Sequence, residues 1–73
     1  MGDRMNSQEI IAALRRERRL QELSQLAVGV AIDKPQNVIA RYETGQHKPG
    51  LDTVTAWADT LGYELTLQPK VKP

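Results

Sequence analysis

Three residues in the middle of this 73-residue chain restrict how it can fold. Ser24 is a residue type that caps helix N-termini, and Pro35 suits the first turn of a helix because its missing N–H needs no partner there. Gly45 can adopt the left-handed conformation that ends a helix. The segment therefore predicts two short helices, over residues 25–31 and from Pro35 to about Tyr42 or Glu43, joined by a tight turn.

Two further helices are predicted on either side of this pair. Asn6 and Glu9 are spaced as in a capping box, and apolar residues follow at helical spacing, which predicts a first helix over residues 8–20. The fourth helix is predicted to end at Gly62 and to bury an apolar stripe. This stripe consists of Leu51, Val54, Trp57, Ala58 and Leu61, with Trp57 as the core anchor.

Residues 63–68 alternate apolar and polar side chains, which predicts a single strand. A lone strand has no partner of its own for its backbone groups. Two copies could pair antiparallel about a two-fold axis, which predicts a homodimer held by Tyr63, Leu65 and Leu67. In the alternative interpretation, this segment only folds back on the fourth helix.

Composition limits the possible classes of protein. A chain of 73 residues makes one small domain, and its formal net charge of +1 means that any nucleic-acid surface must come from local clustering of basic residues. We expect a flexible leader over residues 1–8, a domain over 9–62, the strand over 63–68 and a basic tail over 69–73. Without cysteines or an apolar run of about 20 residues, we expect a cytoplasmic protein that has no membrane partner.

The residue pattern does not favour catalysis or metal binding. His47 is the only histidine, so a site with several histidine ligands is impossible. The chain has no Gly-rich phosphate loop and too few residues for a converging Ser-His-Asp set. We therefore expect neither an enzyme nor a cofactor.

Polar residues on the third predicted helix favour DNA recognition. Gln36, Asn37 and Arg41 share one face of that helix. Gln and Asn can bond adenine with two hydrogen bonds, and Arg can bond guanine in the same way. A short helix that presents these types suits base reading in a major groove, although polar residues on a short helix are often only a solvated face.

The order of several short motifs resembles a known family. These motifs are Leu23-Ser24-Gln25, Val38-Ile39-Ala40-Arg41-Tyr42-Glu43-x-Gly45, Pro49, and Leu51-x-Thr53 through Leu61-Gly62. Together they resemble the phage-repressor type (Cro and XRE-like) helix-turn-helix family, whose third helix enters the major groove. The resemblance implies an all-α, four-helix, lambda-repressor-like domain. With a C-terminal strand in place of a final helix, the chain also resembles the antitoxins of HipB-like toxin-antitoxin pairs.

The resemblance also implies roles for individual residues. Gln25, at the start of the second helix, would hold a phosphate of the DNA backbone, while Gln36, Asn37 and Arg41 would read bases. Pro35 stands where the family often has a Ser or Thr that touches the backbone, so Lys34 would supply that contact instead. Other phosphate contacts would come from the loop that contains His47 and Lys48. A basic cluster on the first helix is either a further phosphate contact or a solvated face with local ion pairs: Arg15, Arg16 and Arg19.

The family commonly pairs an arginine of the first helix with the glutamate that ends the third. Here that structural ion pair would join Arg18 and Glu43. Glu17 stands where the family often has an apolar residue, so the first helix could be rotated by about one position, and Arg15 would then replace Arg18.

These residues predict a dimeric transcriptional repressor that binds double-stranded DNA at a near-palindromic operator. The two copies of the third helix would lie about one DNA turn, or 34 Å, apart. The alternative function is an antitoxin that binds a co-encoded toxin through the fourth helix or the basic tail, with DNA binding serving autoregulation.

Overall fold

The computed structural model describes residues 6–66 and residue 69, and it confirms the all-α, four-helix prediction. The helices are α1 (Ser7–Leu20), α2 (Gln25–Ile32), α3 (Gln36–Glu43) and α4 (Leu51–Thr60). Ser7 and Gln8, which we assigned to the leader, lie in the first turn of α1. No helix in this part of the chain has the length and apolar character needed to cross a membrane.

The predicted caps set the ends of α1 and α2. The Asn6 side chain accepts from the Glu9 amide at 2.8 Å, and the Glu9 carboxylate accepts from the Asn6 amide at 2.9 Å, which completes the capping box. The hydroxyl of Ser24 accepts from the amide of Ala27 at 2.9 Å. Pro35 was predicted to lie in the first turn of the third helix, but it precedes that helix. It is the extended residue just before α3, with ψ 153°, and supplies no side-chain cap.

Every helix contributes to one small core. Its buried apolar residues are Leu14, Val28, Ile39, Trp57, Ala58 and Leu61. Trp57 is fully buried, which confirms it as the core anchor. The predicted burial of Leu51 is wrong, since its side chain is 76% exposed. Leu51 is the first residue of α4, and it borders an open groove and not a neighbouring helix.

The turn between α2 and α3 is held by a close backbone approach. Asp33 adopts the left-handed conformation with φ 60°, and the amide of Lys34 donates to the carbonyl of Gly29 at 2.8 Å. A Cβ atom at Gly29 would overlap the carbonyl oxygen of Lys34. A residue without a side chain is therefore needed there. The neighbouring Leu26 and Val30 are 55% and 74% exposed.

The chain after α4 does not form a strand in its described part. Gly62 takes a left-handed conformation with φ 86°, and the amide of Tyr63 donates to the carbonyl of Ala58 at 2.9 Å. Residues 63–66 follow without strand pairing, and Leu67 and Gln68 lie outside the described residues. A strand needs a second strand for its backbone groups, and the described part of this chain offers none. Pairing between two copies stays a prediction.

Tyr63 lies close enough to α1 of its own chain for its pKa to be affected. The Glu17 carboxylate raises the pKa of the Tyr63 phenol, first by accepting a hydrogen bond from its neutral form and then by charge repulsion. Burial also raises this pKa slightly, whereas the charge of Arg16 lowers it. The start of the C-terminal segment therefore lies against the α1 side of the domain.

A buried ion pair connects α1 to α3. Arg18 is only 8% exposed, and its guanidinium donates to both carboxylate oxygens of Glu43, at 2.7 and 3.0 Å. A further guanidinium nitrogen donates to the carbonyl of Leu23 at 2.8 Å. Arg15 lies at the edge of this cluster, with its Nε 3.6 Å from the same carboxylate. Arg18, not Arg15, therefore makes the close contact with Glu43.

Gln25 completes the cluster, since its side-chain amide donates to Glu43 at 3.0 Å. The Glu43 side chain is only 1% exposed, so its charge depends on these partners for stabilisation. One carboxylate therefore fixes the end of α3 against both α1 and the start of α2.

We predict that Glu43→Gln destabilises the domain by about 3 kcal/mol, because it leaves the buried Arg18 guanidinium without its counter-charge. Urea unfolding followed by Trp57 fluorescence measures the change. The control is Glu64→Gln, which removes an exposed carboxylate and should have little effect. Equal stability of the two variants would contradict the structural role of the pair.

Candidate nucleic-acid interface

The exposed face of α3 carries the three side chains that we predicted to read bases. Gln36, Asn37 and Arg41 are all exposed, whereas Ile39, on the side of the helix opposite to Asn37 and Arg41, is fully buried. Asn37 and Arg41 lie one helical turn apart, and Gln36 precedes them in the first turn. The structure thus brings these side chains together on one outer surface.

The N-terminus of α3 adds backbone donors to this surface. The first amides that bond within the helix are those of Val38 and Ile39, which donate to the Pro35 carbonyl at 3.0 and 3.2 Å. In the described structure no side chain caps α3, so the amides of Gln36 and Asn37 are available to an acceptor in solution or on a ligand. These amides and the helix dipole favour a negative group at this end.

The loop after α3 is anchored to the end of the helix. The carbonyl of Arg41 accepts from the amides of Gln46 and His47, at 2.9 and 3.2 Å. It also accepts from the hydroxyl of Thr44 at 3.3 Å. His47 and Lys48 are both exposed. They therefore lie beyond the C-terminal end of α3, away from the Gln36 end.

Lys34 lies just before the N-terminal end of α3, whereas Gln25 lies against its C-terminal end, at Glu43. Lys34 is half-buried in the turn that precedes the helix. Gln25 is also half-buried, and one of its amide hydrogens is committed to Glu43. A phosphate contact by Gln25 would therefore use its second amide hydrogen or the backbone amides at the start of α2.

Sequence reasoning missed two features of this region. The Gln25–Glu43 hydrogen bond joins residues 18 positions apart and depends on how α2 packs against α3. Thr44 was also overlooked, although it is exposed just after α3 and next to Arg41. Its position directly after the predicted helix was the available signal.

Charge is unevenly distributed over the described surface. Among residues 6–66 and 69, no carboxylate lies within ion-pair distance of Lys34, Arg41 or Lys48. Acidic residues gather instead around a shallow depression beside α4: Asp52, Asp59 and Glu64. The surface around α3 is therefore locally basic although the whole chain carries a net charge of only +1. Within the described part of the chain, no group of His, Asp and Glu side chains could hold a metal ion.

Comparison with known proteins identifies the family. A family model described as helix-turn-helix matches residues 14–68, which include all of α2, α3 and α4. No curated protein matches the chain. The HipB-like branch and the antitoxin role stay predictions, because the match is to the wider family. The chain thus belongs to the Cro/C1-type, XRE-like helix-turn-helix family and is a DNA-binding regulator of that type.

Proposed function

We propose that this protein is a sequence-specific repressor that binds double-stranded DNA as a homodimer, with α3 in the major groove. The observation that carries the proposal is the arrangement of α3. Its polar face of Gln36, Asn37 and Arg41 is exposed, while Ile39 behind that face is fully buried.

The dimensions of α3 support this placement. An α-helix with its side chains is about 10–12 Å in diameter, and the major groove of B-DNA, about 12 Å wide, admits it. Gln36 and Asn37 in the first turn are suited to the edge of adenine, and Arg41 is suited to guanine. The Arg18–Glu43 pair holds the helix so that this face stays outward.

Phosphate contacts are proposed at both ends of α3. Lys34 is near its N-terminus, Gln25 is bonded to Glu43 at its C-terminus, and His47 and Lys48 are beyond that end. Groups that contact the two sides of a groove set the register of the helix and carry no sequence information. In this arrangement the phosphate contacts position α3, and its three polar side chains provide the specificity.

Dimerisation is proposed through the segment that follows α4. Tyr63 and Leu65 remain 52% and 39% exposed, which leaves apolar surface for a second copy to cover. Pairing of residues 63–68 about a two-fold axis would place the two α3 helices on successive turns of a near-palindromic operator.

We expect Gln36→Ala and Asn37→Ala each to weaken binding to the preferred site by about 1–3 kcal/mol and to reduce base discrimination. Folding should not change, because both side chains are exposed. Fluorescence anisotropy near physiological salt, using DNA from upstream of the protein's own gene, measures the loss. Gln8→Ala removes a similar exposed amide from α1 and serves as the control. Equal, weak binding by wild type and both α3 variants would refute sequence-specific reading by α3.

Lys48→Ala should weaken binding to all DNA sequences alike, because a phosphate contact does not depend on the base. The slope of log affinity against log salt concentration should fall in magnitude by about one. Binding titrations over a range of salt concentrations, on the preferred site and on an unrelated duplex, provide both quantities. A changed base preference with an unchanged slope would show that Lys48 contacts bases.

Deletion of residues 63–73 should convert the dimer to a monomer and remove most of the operator affinity, since one half-site offers few contacts. Light scattering after size exclusion should give about twice the 8.2 kDa chain mass for the full chain, and about half that dimer mass after the deletion. Deletion of residues 69–73 alone is the matched control and should leave the dimer intact. A full chain that stays monomeric at micromolar concentration would exclude this mode of assembly.

A further inference from the structure

An open groove of about 850 Å³ lies between α1 and the start of α4, and we call it the α1–α4 groove. The last turn of α3 and the loop after it form one end of the groove. Its large apolar lining residues are Ile10, Ile11, Leu20, Tyr42, Leu51, Val54 and Leu65. Among them, the function proposed above uses only Leu65, in the proposed dimer contact.

Two of the apolar residues in the α1–α4 groove are unusually exposed. Leu20 is 69% exposed and Leu51 is 76% exposed. Both border the same groove, although one ends α1 and the other begins α4. Apolar surface gathered in one concave place marks a binding site more strongly than scattered apolar residues do.

The exposed charges of the α1–α4 groove are all positive. Its cationic side chains are Arg15, Arg16, Arg19 and Lys48, and His47 lies beside them. Among the described residues of the lining, the only carboxylate belongs to Glu43, whose side chain is 1% exposed and bonded to Arg18. A ligand in this groove would therefore meet an apolar floor edged by exposed cations, of which Arg15 alone lies within ion-pair distance of Glu43.

We propose that the α1–α4 groove binds an acidic amphipathic helix of a partner protein. Leu, Ile or Phe side chains at helical spacing would cover Leu20 and Leu51. Asp and Glu side chains beside them would pair with the arginines of α1. Complementary charge of this kind selects among partners and speeds their association.

Other occupants fit the groove less well. The parts of this chain outside the described residues contain one acid, Asp3, against Arg4, Lys70 and Lys72, so they do not complement its charge. A DNA backbone would match the cations but would leave the apolar floor uncovered. A small molecule usually buries most of its surface in its pocket, which a groove this open does not allow.

Occupation of the groove would have a regulatory consequence, which depends on the proposed DNA-binding function. His47 and Lys48 belong both to the groove and to the set of proposed phosphate contacts. A partner helix that covers them would exclude the DNA backbone from the same place. The acidic partner would therefore act as a derepressor, competing with the operator.

Phage display provides the test in the absence of DNA. A library of peptides about four helical turns long would be selected on the full-length protein. We expect enriched peptides that carry net negative charge and apolar residues at helical spacing. Their affinity, measured by anisotropy, should fall at least about tenfold for Leu51→Glu and for Arg16→Glu/Arg19→Glu.

The matched control is Leu26→Glu, which places the same charge at an exposed apolar position of α2 outside the groove. Circular dichroism verifies that all variants fold. Peptides that bind wild type and Leu51→Glu equally, or that carry no negative charge, would overturn the proposal. Self-association of wild type that is lost in Leu51→Glu would also overturn it, because the occupant would then be a second copy.

A final measurement adds the selected peptide to the complex with labelled operator DNA, and release of the DNA is expected. If the peptide binds the groove but the DNA stays bound, the competition is refuted while the binding site stands. If the protein never binds the DNA specifically, the function proposed above fails. The groove is then judged by the peptide titrations alone.

Discussion

The position of α3 depends on one buried carboxylate. Glu43 accepts hydrogen bonds from Arg18 on α1 and from Gln25 at the start of α2, and Arg18 also holds the carbonyl of Leu23. A buried charge is tolerated only when several partners stabilise it, so these segments must be in place together. Burial of the small apolar core stabilises the fold but is not directional. The hydrogen bonds of this cluster are directional, so they give the polar face of α3 a defined orientation.

The surface divides into regions with different charge. Around α3, Lys34, Arg41 and Lys48 form no ion pair with a carboxylate of the described residues, while Asp52, Asp59 and Glu64 gather beside α4. A net charge of +1 therefore conceals a strong local asymmetry. The basic region continues from the end of α3 into the α1–α4 groove through His47 and Lys48. DNA binding and partner binding would thus share part of one surface, which gives the domain a simple route to regulation.

Features that depend on near neighbours were predictable from the sequence. The Asn6–Glu9 capping box and the Ser24 cap each join residues three positions apart, so their hydrogen bonds follow from local geometry. Gly62 takes its left-handed conformation at the predicted end of α4. The composition of α3 indicated which side chains suit base reading, because the donor and acceptor pattern of each type does not depend on the fold.

The tertiary structure alone decided how much of each helix is covered. Periodicity placed Leu51 on an apolar stripe, but no neighbouring helix covers the start of α4, and the side chain stays exposed. Gly29 must lack a side chain because the turn after α2 passes close to its backbone. The hydrogen bond from Gln25 to Glu43 forms where α2 packs against α3. A sequence pattern shows which face of a helix is apolar, whereas burial and long-range hydrogen bonds depend on the distances between helices. For the same reason, the sequence determined where the helices form and which types of side chain α3 carries. Only the packing of the helices decided which arginine pairs with Glu43 and which apolar surface remains exposed.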